Sequence, residues 1–338
     1  MALTAGFVMD DAVLPIALAR GLVDLAEQQQ LDVDKLLRGS RLFYEDLSQA
    51  DKRLSCRQWL QLIARFCRMH PEPEAMALLY GQQQALNHLP LLSEVWANSA
   101  NLAQALRHLS QLAPWFPTVV QLRPRQHGER LVLVLQSTLA LGEQQRFIYS
   151  AILAALRTWL QEQLGKHLLM QVDLPWPAPQ WRAHLSSALG EQLRFAAPCC
   201  AIHLKAEALF TPFATASSWR CQQFMRLARQ QIRGTSVHES LQSQLRRLCR
   251  RQLQLGVTLE QGAAFVGLSP ATLKRRLKQD GVSFQQLQDD VRCHEVLQRL
   301  DIYGYSNRQL AECVNINDMH NFRRAFKRWT GMLPSQFR

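Results

Sequence analysis

The chain of 338 residues carries a formal charge of +12, with 47% of its residues apolar and 20% charged. That length supports two domains with a sizeable core, and the apolar content is that of a globular protein. No apolar run approaches the roughly 18 residues of a membrane helix, and Asp10 and Asp11 stand where a signal peptide would be basic. A soluble, cytoplasmic protein with no membrane partner is therefore expected.

Along residues 1–112, LPIALARGLVDLAEQQ, SCRQWLQLIARFCRMH, EPEAMALLYGQQQ and ANLAQALRHLSQL repeat apolar residues at steps of three and four, which predicts at least four helices. From Pro117 the pattern changes. TVVQLRPRQ and ERLVLVLQ flank His127-Gly128 as a hairpin rich in Val and Leu. A long helix follows at residues 144–164, and HLLMQVDLPW and AIHLK read as further strands, so this part is α+β. Trp115 and Phe116, followed by Pro117, suit either the wall of an apolar pocket or core packing at a helix-to-strand turn. The best boundary lies between Thr211-Pro212 and Ser218, with a connecting helix over residues 219–231. The expected division is an α+β part at 1–215, a connecting segment at 216–235 and an all-α part at 236–338.

Charge supports that division. Residues 216–338 hold 20 Lys and Arg against 9 Asp and Glu, and residues 1–215 hold 19 against 18, so nearly all the net charge sits in the last third. One part is suited to a polyanion and the other is not. The eight cysteines show no CxxC or His-linked spacing, and adjacency disfavours a relaxed bridge between Cys199 and Cys200. Reduced, buried thiols and no metal or cofactor are expected.

Within 236–338 the plan helix, tight turn, basic helix occurs twice. TLEQGAAF, capped by Thr258, is followed by the turn Val266-Gly267-Leu268. The cap Ser269 and first-turn Pro270 then open ATLKRRLKQ, which Asp280-Gly281 closes. The first unit thus covers about 258–280. Ser306 caps SNRQLAECV, the turn is Asn315-Ile316-Asn317, and Asp318 opens HNFRRAFKRW, which Gly331 ends, so the second unit covers about 306–331. Leu273 and Leu277 form the inner seam of the first basic helix, and Phe322 and Phe326 that of the second. Between the units, residues 283–300 keep helical periodicity without glycine or proline. Eighteen such residues span about 27 Å, close to the roughly 34 Å turn of B-DNA, which suits a rod that sets two helices in successive major grooves.

These residues resemble the AraC/XylS transcription regulators over 236–338, above all in the closing FRRAFKRWTGMLPSQFR and in LSPATLKRRLKQDGVSFQQL. The turn departs from the family pattern, with Asn315-Ile316 in place of Gly-Phe; Asn tolerates the left-handed conformation and Ile keeps an apolar plug. GLVDLAEQQQLDVDKLLRG and ANSANLAQALRHLSQLAPWF resemble, more weakly, the regulatory domain of the branch that carries an arabinose-binding-like N-terminal domain. The resemblance implies double-stranded DNA as partner, activation through RNA polymerase, a small-molecule effector and a homodimer as further partners. It places base reading on Ala271, Lys274 and Arg275 in the first helix and on Met319, His320, Arg323 and Arg324 in the second. Arg275 and Arg324 lead because the guanidinium fork pairs with guanine O6 and N7. Ser269, Thr272, Lys278, Asn321 and Lys327 are expected on phosphates, which fix register without reading sequence.

Enzyme signatures are missing: there is no Walker loop, dinucleotide fingerprint or GxSxG elbow, and His294-Glu295 lacks the second histidine of HExxH. Asp289-Asp290 lies on the linker helix as a solvated pair. Two other readings stay open: a zinc and cysteine alkyl-transfer repair protein on the same DNA-binding fold, which needs clustered cysteines, and a basic protein that binds an acidic partner.

Overall fold

The computed structural model describes residues 6–49, 51–83, 90–112, 118–179, 182–232 and 239–337. Trp115 and Phe116, offered as pocket or core residues, lie outside the described residues. In chain order, β1 (Ala12–Pro15) leads into α1 (Ala17–Gln28) and α2 (Val33–Leu37), and β2 (Arg53–Ser55) pairs antiparallel with β1. Ser55 and Gln58 form a capping box that starts α3 (Cys56–Met69). Then come α4 (Pro73–Gln83), α5 (Pro90–Ala97) and α6 (Leu102–Leu112). The expected helices are all present. The short α2 and α5 carry too few turns for periodicity to reveal.

The hairpin β3 (Val120–His127) and β4 (Arg130–Ser137) pairs over its whole length. It is followed by α7 (Gln145–Leu164), β5 (Gln171–Asp173), α8 (Arg182–Leu189), β6 (Leu193–Arg194), β7 (Ala201–Lys205) and α9 (Ser218–Ile232). The sheet order is β3-β4-β7-β5-β6, antiparallel except for β5 with β6. Glycine lets α4 touch α7: a Cβ on Gly81 would collide with the Ala151 carbonyl. The run LVLVL in β4 is buried on both faces, as an unbroken apolar strand requires. Leu131, Leu133 and Leu135 enter the large N-terminal core. Val132 and Val134 face the other way, with Cys199 and Ala201, onto Ile302.

The C-terminal part is all helical: α10 (Leu241–Arg251), α11 (Leu259–Phe265), α12 (Pro270–Gln279), α13 (Phe284–Tyr303), α14 (Asn307–Cys313) and α15 (Met319–Thr330). It has two cores. Leu241, Leu245, Leu273, Leu277, Leu287 and Val291 make the first; Val296, Leu300, Leu310, Val314, Phe322 and Phe326 make the second. The linker helix α13 feeds both, so each unit is fixed to one rod. It runs to Tyr303, past the expected end at 300, because Ile302 buries against the sheet and the left-handed Gly304 (φ 66°) stops it. α10 was not anticipated.

Candidate nucleic-acid interface

Both basic helices are started and stopped by local chemistry. Thr258 and Gln261 form the capping box of α11, and Gly267 takes a positive φ of 69° in the turn. The Ser269 hydroxyl accepts from the Thr272 N–H at 3.2 Å, with Pro270 in the first turn of α12. In the second unit Ser306 and Gln309 box α14, and Asp318 accepts from the His320 N–H at 2.7 Å to cap α15. Gly331 ends α15 at φ 77°. Asn315 has φ 55°, so it does occupy the left-handed position that the turn needs.

These caps fix which faces point outward. Leu273, Leu277, Phe322 and Phe326 are buried in the unit cores, the two rings 5.9 Å apart. Ala271, Lys274, Arg275 and Lys278 are exposed on α12, and His320, Asn321, Arg323, Arg324 and Lys327 on α15. Met319 is not brought to that surface freely: it is half-buried against the second core, as its thioether would be in any apolar gap. Ser269 is exposed but its hydroxyl also donates to Thr272 Oγ1 at 2.9 Å, so both groups serve the helix start.

The electrostatics separate the outward cations from the rest. Among the described residues no hydrogen bond or ion pair engages the side chains of Lys274, Arg275, Lys278, Arg323, Arg324 or Lys327. Arg328, one position further, bonds Asp289 of α13 at 3.1 Å and so ties α15 to the rod. Exposed, unopposed cations along two helices attract phosphate and leave guanidinium forks for base edges. Burial pushes the thiols of Cys56, Cys199 and Cys293 up to about 12, and among the described residues no cysteine joins a cluster of metal-type ligands such as a zinc-held alkyl acceptor needs. Asp173, His203 and Asp301 converge as a metal trio would. Arg194, however, donates to both carboxylates, so a guanidinium holds the cation position.

A junction between the two parts is the feature that sequence reasoning missed. Asp280, the last residue before the Gly281 turn, is buried and accepts from the Met9 N–H at 3.1 Å and from Gln242 Nε2 at 3.1 Å. Arg57 reaches the Gln279 carbonyl at 3.0 Å. Glu295 on α13 is buried and receives Arg250 of α10 at 3.0 Å, Arg299 at 2.8 Å and Arg125 of β3 at 3.4 Å. The Leu241, Leu245, Leu248 spacing and the cap Ser240 could have revealed α10. No local signal reveals contacts made across the whole chain.

A family described as the N-terminal arabinose-binding domain of AraC transcription regulator matches residues 31–213, and one described as a helix-turn-helix domain matches residues 263–338. The chain is 27% identical to an ornithine utilization regulator of Pseudomonas aeruginosa over 327 residues, 96% of each chain. A urease operon transcriptional activator of Escherichia coli is 41% identical over 70 residues, 21% of this chain and 24% of its own. Among solved structures, the transcriptional regulator CdpR of Pseudomonas aeruginosa aligns over 94% of this chain and 96% of its own, with 18% identity and a TM-score of 0.46.

Proposed function

Because this chain belongs to the AraC family of transcription regulators, we propose that it is an activator whose two units read successive major grooves of one DNA face under control of residues 1–215. Residues 216–235 connect that regulatory part to the DNA-binding domain at 236–338. The observation that carries the reading is the pair of exposed, unopposed cationic faces on α12 and α15, mounted on one rod. Twenty residues of α13 give about 30 Å at 1.5 Å each, close to the roughly 34 Å turn of B-DNA.

Arg275 and Arg324 read guanine edges; Lys274, His320 and Arg323 assist, and Ala271 meets at most a thymine methyl. Met319 contributes through its exposed fraction. Lys278, Asn321 and Lys327 hold phosphates, as do Ser269 and Thr272 where their capping bonds permit. The activator role is supported by the similarity to a urease operon transcriptional activator, and contact with RNA polymerase is its simplest route. Similarity to an ornithine utilization regulator makes amino-acid utilization genes one target class to look for. No helix among the described residues is long and apolar enough to cross a membrane, which fits work on DNA in the cytoplasm, as a monomer or a homodimer.

The test is to map chromosomal DNA bound by the tagged protein, with the Arg275→Ala/Arg324→Ala double variant as control. Sharp peaks sharing a two-part motif about one helical turn apart, lost in the control, are expected. Diffuse, salt-sensitive occupancy without a motif would reduce the basic faces to a polyanion grip.

A further inference from the structure

A cavity of about 600 Å³ opens between the regulatory helices, the hairpin strand β3 and the start of the DNA-binding part. That volume falls within the range of small-molecule sites, about 300 to 1,000 Å³. Its walls are mostly apolar, with Leu18, Trp59, Trp96, Leu106, Phe147 and Ile152 among them. An apolar body of drug size is what such walls accommodate.

The charged groups on the same lining are lopsided. Among the described residues, Arg107, Arg123 and Arg247 line the cavity, against a single carboxylate, Glu239. Glu239 is already committed, to Arg247 Nη2 at 3.0 Å and to the Ser243 hydroxyl at 2.9 Å. The buried Nε atoms of Arg123 and Arg247, and the buried indole N–H of Trp96, have no acceptor among the described residues. An unmatched buried donor carries a desolvation cost, so a ligand that brings acceptors removes a penalty the protein already bears. Burial, with Arg250 and Arg125 beside it, pushes the Arg123 guanidinium down to about 10 against the opposing pull of Glu295 and Glu239.

The position of the cavity connects it to DNA. Arg247 lies on α10, whose Leu241 and Leu245 share a core with Leu273 and Leu277 of α12. Arg123 lies on β3, in the regulatory part. α10 and the hairpin are already joined by Arg246 to the Thr138 carbonyl at 3.1 Å, Arg250 to Gln136 at 2.7 Å and Gln121 to Ser243 at 3.3 Å. We propose that this cavity is the effector site and that its ligand is a small organic monocarboxylate with an apolar body, the carboxylate held between Arg123 and Arg247. The bound acid bridges β3 and α10 and so biases how the first DNA-reading unit is held, because a ligand shifts an equilibrium only by contacting one arrangement better. The coupling to DNA rests on the regulator reading above; the acid site itself does not.

The experiment uses the full chain and three probes of one shape: 4-phenylbutyrate, 4-phenylbutyramide and 4-phenylbutylamine. Titration is followed by calorimetry and by tryptophan fluorescence, since Trp59 and Trp96 line the cavity. Saturable binding of the acid, at least about tenfold tighter than the amide and with no binding of the amine, is expected. Arg123→Gln should weaken the acid by about tenfold or more and leave the amide unchanged. Ile152→Trp should abolish binding of the acid while the protein still melts cooperatively; Arg247→Gln replaces Arg123→Gln if that variant fails to fold. Acid, amide and amine binding alike, or none binding saturably, would overturn the site. In parallel, the acid should change affinity for the mapped DNA site by a factor of about 5 or more. Acid binding with unaltered DNA affinity would overturn the bridging role. Acid binding by a chain that binds no specific DNA would leave the site standing and remove the regulator reading instead.

Discussion

Asn315 shows how one residue decides the entry of a recognition helix. Its φ of 55° lies in the left-handed region, where the Val314 to Ile316 turn passes from α14 to α15. Asn reaches that region at low cost, glycine at none, and a β-branched side chain at roughly 1 to 2 kcal/mol. Asn315→Gly should therefore leave the denaturation midpoint of the full chain nearly unchanged, and Asn315→Val should lower stability by about 1 to 2 kcal/mol. Equal stability of the two variants would mean that the turn relaxes elsewhere. This position was legible because Asn is one of few residues that visit the region alone. Gln30, at φ 56°, was not. It ends α1 where glycine is customary, held by Gln30 N–H to the Glu27 carbonyl at 2.9 Å and Leu31 N–H to the Ala26 carbonyl at 2.9 Å. Hydrogen bonding there overrides the residue's own preference, so nothing in its identity signals the turn.

The linker helix α13 was legible as a helix and as a rod, since its apolar spacing is regular and its interior lacks breakers. Its role as the seat of the other part was not, because Glu295 and Gln298 look solvated in the sequence and are buried in the fold. Their partners explain this. Glu295 is matched by Arg125, Arg250 and Arg299, and Gln298 accepts from Arg125 Nε at 3.0 Å. Glu295→Gln keeps the size and removes the charge, which leaves partly buried guanidinium groups short of an anion. A loss of about 2 to 4 kcal/mol is expected, somewhat below a fully buried pair because Arg125 and Arg299 keep water contact. Asp289→Asn removes the partner of the exposed Arg328 and should cost under about 1 kcal/mol. Chemical denaturation of both variants checks the contrast, and equal losses would show that Glu295 is no hub. The leucine spacing of LQSQLRRLCRR signals the helix α10 but not the burial of its Arg246, which donates to the Thr138 carbonyl across the junction and to Asp290 of α13.

At the scale of the whole molecule, the uneven charge already separated a polyanion-binding third from the rest, but not how the two meet. Met9 and Asp280 are 271 positions apart, and no local pattern encodes such a contact. The junction is built from a small apolar patch, where Val132, Val134 and Ala201 cover Ile302, and from ion pairs around Arg194. Arg194 joins Asp173 of the sheet to Asp301 near the end of α13, and Asp173 also shares a 2.7 Å hydrogen bond with His203. Burial alone would raise the Asp173 carboxyl; the hydrogen bonds from His203, Gln171 and Arg194 outweigh it and hold the group below its ordinary value. A depressed folded value fixes the sign. The ionised carboxylate contributes stability above its unfolded value of about 3.9, and that contribution fades as pH falls through the lower folded value. Asp173→Asn should therefore cost about 3 kcal/mol at neutral pH. The gap between the variant and the unaltered chain should hold from pH 8 down to about 5 and close only below about 4. Urea denaturation at each pH measures it. A gap that shrinks between pH 8 and 6 would assign the coupling to a group other than Asp173, and the carboxylate would no longer be what fastens the linker helix to the sheet.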